Sequence, residues 1–174
     1  ALVTSVVDGL NTSKAFTFVA ALIAMVVALS FVVHLLPKLL VTETILLGFT
    51  ALLLPLFPLH GAYVAALTRA PGFLPAALAV LMPAAGLYGL ANVLPQVPAE
   101  VMPALSALAL FGALYGSLKA LGQTRVPALL AYTGLAFSST LWWHAAISHA
   151  LVLQSILYAA AAVLLIAALL IAWR

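Results

Sequence analysis

Cysteine is absent from the 174 residues, and charge nearly so: three acidic and six basic side chains make up 5% of the chain. The first absence excludes disulfides, thiol catalysis and Cys-ligated metals or clusters. The second excludes a water-facing surface, because a soluble domain carries roughly 25% charged residues. A net charge of +3 is too small and too scattered to bind nucleic acid. There is no nucleotide motif, so no cofactor is expected. What fills the chain is apolar: 67% hydrophobic residues and a mean hydropathy of +1.32. Long apolar runs recur along its whole length, which makes the lipid bilayer its natural solvent and partner.

A membrane-spanning helix takes about 20 residues, and the chain divides accordingly. Apolar segments run over residues 15–36, 44–66, 73–93, 101–121, 126–143 and 145–173. Short connections at 37–41, 68–72, 95–100 and 122–125 carry Pro, Gly or charge and turn neighbouring helices antiparallel. The expected fold is all-α, a polytopic membrane bundle of about six transmembrane helices, with the second helix broken at Pro55 and Pro58. It forms a single transmembrane domain over residues 1–174, with 1–14 as an N-terminal segment. No repeat recurs at a solenoid period, and no space remains for an extramembrane catalytic domain. Residues 1–13 include Asp8 and no basic residue, so they do not read as a signal peptide.

Orientation follows from the basic residues. With six spans, Lys14, Arg69, Lys119, Arg125 and Arg174 share one side, and only Lys38 lies on the other. This places both termini in the cytoplasm and the multi-pass chain in the cell inner membrane. Trp142, Trp143 and Trp173 fall near segment ends, where interfacial anchors belong.

The second segment contains "ALLLPLFPLHG". Each proline lacks an N–H and crowds the carbonyl four residues back, which frees the carbonyls of Ala51 and Leu54. In lipid these must find partners inside the protein. The break reads either as a proline kink or as the kind of interruption that marks transport sites. His60, just past it, reads either as a residual member of a proton path or as a structural group bonding the broken backbone.

Other polar residues have plainer readings. Lys119 and Arg125 snorkel to headgroups, and Glu100 sits in a loop. Lys38 and Glu43 lie near the opposite face, and His34 near the outer end of the first segment. Ser138, Ser139 and Thr140 precede His144 and His149, which raises a Ser/His intramembrane protease. Such enzymes resemble G-x-S-G, and no glycine flanks these serines. The five-residue spacing of His144 and His149 does not align them for a metal or haem, so both are placed in a loop at the interface. No metal-binding set is expected. Gly86, Gly89, Gly112 and Gly116 and the run 159–162 favour close helix packing.

The chain resembles the antiporter-like membrane subunits of respiratory complex I, a family shared with Mrp-type antiporters and membrane-bound hydrogenases. Around its broken helix that family reads P-x-x-P-L-H-x-W-L-P-x-A-H-x-x-A-P. Pro55, Pro58, Leu59, His60, Ala66, Ala70 and Pro71 keep this spacing. Tyr88 and Gly89 are similar to a following Y-G. Tyr115, Gly116, Ala120, Gln123, Leu129, Ala131, Tyr132 and Thr133 follow a later Y-G-x-x-x-A-x-x-Q pattern without a gap. "VLQSIL" at 152–157 is similar to V-x-Q-M-x-x-H. The resemblance covers about residues 44–170.

It implies a proton path of buried Lys and His, and this chain departs from it at each of those positions. The family's lysines fall at Leu53 and Ala84, and its histidines at Phe137 and Tyr158. Its loop charges become Arg125, Pro127 and Ala128, and the helix bearing its Glu has no counterpart here. Leu, Ala and Phe cannot carry a proton, and a phenol ionises only at about pH 10. The resemblance therefore implies a shortened, degenerate subunit that braces or seals a larger complex I-like, hydrogenase or Mrp-type assembly. Other membrane subunits would be its partners, and the chain would have no catalytic residues of its own. His60, Thr50, Tyr132 and Tyr158 are the residual ion-path positions. The alternatives are an active proton- or cation-translocating subunit using His60 and partner residues, or an unrelated small transporter.

Overall fold

The computed structural model describes residues 41–173. The first apolar segment, with Lys14, His34 and Lys38, and the terminal Arg174 lie outside the described residues. The described residues are all-helical: α1 (Val41–Leu53), α2 (Gly61–Arg69), α3 (Leu74–Val93), α4 (Met102–Leu121), α5 (Val126–Ser148) and α6 (Leu153–Ala172). Two single 3₁₀ turns, Leu94–Gln96 and Ala99–Val101, join α3 to α4.

Proline sets most of these starts. Pro75, Pro103 and Pro127 each sit in the first turn of α3, α4 and α5. There the missing N–H is no loss and the fixed φ suits a helix. Pro83 lies inside α3, which continues through it. Gly72, at φ +59, makes the left-handed bend between α2 and α3 that a side chain would resist.

The ends of α5 and α6 differ from the sequence expectation. The fifth helix does not stop at residue 143 but continues to Ser148, and the sixth begins only at Leu153. His144 is therefore a helical residue, and His149 alone occupies the turn. His149 closes α5 in the left-handed conformation, φ 52 and ψ 18. The Ser148 hydroxyl lies 2.7 Å from the His144 carbonyl and 2.8 Å from that of Ala150. His144 Nδ1 is 2.9 Å from the Ser155 hydroxyl, tying the start of α6 to the end of α5. Sequence alone broke the helix at its polar residues, but local and cross-turn hydrogen bonds satisfy them and the helix runs on.

Among the described residues, three helical stretches are long and apolar enough to cross a membrane: Leu74–Gln96, Ala99–Leu121 and Leu153–Ala172. Their large apolar side chains face outward in number, among them Leu81, Leu118 and Leu164, as lipid contact requires. α1 is apolar but short.

Inside, α4 packs along α5, α3 meets α1, α2 and α6, and α5 meets α2 and α6. Tyr63 and Leu67 of α2 sit at the centre of a buried cluster with Ala76 and Ala79 of α3, Leu130 and Ala131 of α5, and Ile166 and Leu170 of α6. Small residues allow the approach. A Cβ on Gly86 would come 2.5 Å from Leu54, and one on Gly116 would come 2.8 Å from the Ala136 backbone nitrogen. These contacts also set the register. Thr50 and Leu54 lie against Gly89 and Gly86, so α1 starts beside the end of α3. Tyr63 lies against Gly134, so α2 ends near the start of α5. Among the described residues, Arg69, Lys119 and Arg125 consequently gather at one end of the helices, while Glu43 and Glu100 stand at the other.

Candidate functional site

The expected break is present and wide. α1 stops at Leu53, residues 54–60 are not helical, and the helix resumes at Gly61. A proline disfavours helical geometry in the residue before it, and neither Pro55 nor Pro58 can donate to the ladder. Residues 54–57 are buried, whereas Pro58 and Leu59 are exposed, and the Phe57–Pro58 peptide is cis.

The two carbonyls freed by the prolines, and that of Pro55, have partners inside the protein. The Leu56 N–H reaches back to the Ala51 carbonyl at 3.1 Å. The Trp142 indole N–H donates to the Leu54 carbonyl at 3.0 Å. The Ser138 hydroxyl donates to the Pro55 carbonyl at 2.6 Å and also lies 3.0 Å from its own Leu135 carbonyl. α5 thus presents two donors, four residues apart on one face, to two consecutive carbonyls of the broken segment. Beside this seam is a cavity of about 20 Å³ lined by Leu54, Tyr63, Pro83, Ser138 and neighbours that are almost wholly apolar.

Two sequence expectations change here. Trp142 is not an interfacial anchor: it is completely buried, whereas Trp143 and Trp173 remain 38% and 61% exposed. Nor does His60 hold the freed carbonyls of Ala51 and Leu54, because Leu56 and Trp142 already do. Among the described residues the His60 Nδ1 and the Ser139 hydroxyl are buried without a hydrogen-bond partner of normal geometry, although the imidazole lies beside the Pro58 backbone. The signal that could have identified the donors was their spacing: a serine and a tryptophan one turn apart on the helix richest in hydroxyls.

The residual ion-path positions are only partly brought together. His60 and Tyr132 meet with ring centroids 6.2 Å apart, and Tyr115 stands 5.4 Å from His60 and 6.3 Å from Tyr132. Phe57 stacks on the imidazole at 5.8 Å and touches Phe111 at 5.0 Å. Thr50 is elsewhere, packed against Gly89, with its hydroxyl committed to the Leu46 carbonyl at 2.8 Å. Tyr158 lies on α6 in edge contact with Phe137 at 5.9 Å. Among the described residues no group of His, Cys, Asp or Glu is arranged to hold a metal ion.

Ser138→Ala leaves the Pro55 carbonyl without its donor. The expected loss is about 1 kcal/mol of stability, read from unfolding in detergent.

Neither family models, curated proteins nor solved structures yield a match to this chain.

Proposed function

We propose that the chain is a non-conducting membrane subunit, similar to the antiporter-like subunits of complex I-like, hydrogenase or Mrp-type assemblies, that braces or seals such a complex. The supporting observation is the closed break. Two consecutive carbonyls of the interrupted helix, those of Leu54 and Pro55, are occupied by Trp142 and Ser138. The residues at the resemblance's proton-carrying positions agree with this reading. Phe137 and Tyr158, which stand where that family has histidines, pack edge to face.

In this reading the broken helix α1–α2 counts as one span. With α3, α4, α5 and α6 it makes five spans among the described residues, and the first apolar segment of the sequence lies outside them. The basic end with Arg69, Lys119 and Arg125 faces the cytoplasm, and the membrane is the cell inner membrane. Redox cofactors and catalysis belong to partner subunits.

The unpartnered Nδ1 of His60 beside Tyr115 and Tyr132 favours a second reading, in which the chain relays protons through that cluster with help from a partner. One pair of measurements separates the two. In mild detergent the chain is expected to co-migrate with other membrane and redox subunits. Reconstituted alone into sealed vesicles, it is expected to leave a pH gradient intact. Isolation as a self-sufficient species that collapses the gradient, with the activity lost in His60→Ala, would replace the bracing role with the relay.

A further inference from the structure

On the flank of the α4–α5 pair away from His60 runs an open groove of about 360 Å³. α4 supplies Ser117, Ala120 and Leu121, and α5 supplies Leu129, Thr133 and Phe137. Its two hydroxyls are already spent. Ser117 donates to the Ala113 carbonyl at 2.8 Å and Thr133 to the Leu129 carbonyl at 2.9 Å. The groove therefore offers an aliphatic wall without free donors for a polar ligand. Leu121 and Leu129 form the end of the groove nearest the α4–α5 turn, and Lys119 and Arg125 flank the groove without lining it. The exposed Arg125 caps α5 one turn before Leu129, whose N–H it accepts at 2.9 Å, and the exposed Lys119 adjoins Ala120. Among the described residues no acidic side chain stands at that end.

We propose that this groove is a binding site for one anionic phospholipid, with an acyl chain along the α4–α5 seam and the phosphate on Arg125. Charge complementarity argues for an anionic headgroup, since basic pockets between membrane helices on the cytoplasmic side select such lipids. The spent hydroxyls argue for a chain in the groove. The site rests on the bilayer placement of the helices and not on the bracing role.

The purified chain in non-ionic detergent is titrated with dioleoyl phosphatidylglycerol or dioleoyl phosphatidylcholine, and bound lipid is counted by native mass spectrometry. The expected result is a single phosphatidylglycerol held per chain. Binding of phosphatidylcholine, and of phosphatidylglycerol to Arg125→Gln, is expected to be roughly five-fold weaker. Arg69→Gln, at the same end of the helices but off the groove, binds as the parent does. Thr133→Phe fills the groove and loses the lipid while keeping its melting temperature, and Ser117→Leu tests the opposite wall if Thr133→Phe does not fold. Four outcomes overturn the site: equal retention of the two lipids, equal loss in Arg69→Gln and Arg125→Gln, retention in both groove variants, or full displacement by inorganic phosphate. A groove that holds a partner helix instead of lipid would show itself as the first of these. None of the four bears on whether the chain co-migrates with a complex, so the two proposals fail separately.

Discussion

Trp142→Ala is expected to be the most destabilising single substitution in the described helices. Removing a fully buried indole costs about 3–5 kcal/mol through lost contacts and the cavity left behind. It also strips the Leu54 carbonyl of its only described donor, and an unpaired buried acceptor adds about 1–3 kcal/mol. Trp142→Phe separates the two effects, because it keeps most of the bulk and removes only the N–H. Hydrogen bonds between membrane helices average about 0.6 kcal/mol, since the unfolded chain in lipid finds other partners. The Leu54 carbonyl has been released by a proline and belongs to a buried residue, so Trp142→Phe should exceed that average, at about 1–2 kcal/mol. Unfolding in detergent measures both variants. A Trp142→Phe protein as stable as its parent would mean that the indole does not hold the break. Combined with Ser138→Ala, the loss should depart from the sum of the single losses, because both donors serve one seven-residue stretch, 54–60.

Gly86→Ala is the second large effect, and its size comes from geometry. The added methyl would lie 2.5 Å from both the Cβ and the backbone nitrogen of Leu54. The backbone cannot swing aside like a long side chain, so α3 must move away from the break. Overpacking of this kind costs about 1–3 kcal/mol, more than offsetting the roughly 0.5–1 kcal/mol that alanine gains over glycine within a helix. Gly48→Ala provides the control. That glycine lies in α1 with no heavy atom of the described residues within 4 Å of an added methyl, so the substitution should be neutral or stabilising. Equal tolerance of the two substitutions would refute the close α1–α3 seam.

These residues also show what the sequence made legible. Pro55 and Pro58 announced the break because the missing N–H is a local, chemical fact. The same fact identified Ala51 and Leu54 as carbonyls needing partners. The partners themselves were hidden. Trp142 stands near an apparent segment end, and hydropathy cannot distinguish a tryptophan facing headgroups from one facing a helix break. Burial inside the protein and burial in lipid give the same apolar pattern, so helices were recognisable while their inward faces were not. The helix boundary at residues 144–148 was misplaced for a related reason. Polar side chains that bond within their own turn, like Ser148, look from sequence like a loop. Glycine was a better guide: Gly86, Gly89, Gly112 and Gly116 all lie at close contacts. Gly134, which receives the Tyr63 ring, carried no distinguishing neighbour. Of the four positions grouped as a residual ion path, His60 and Tyr132 lie together, whereas Thr50 and Tyr158 lie in separate contacts against α3 and Phe137.

The sorting of ionic groups to opposite ends of the helices has an electrical consequence. In the proposed orientation, turning the bundle over would carry Arg69, Lys119 and Arg125 outward against an inside-negative voltage. Each elementary charge resists that transfer by about 2.3 kcal/mol per 100 mV. An energised membrane would therefore keep the helices inserted the way they were first threaded, and a collapsed voltage would remove that part of the barrier.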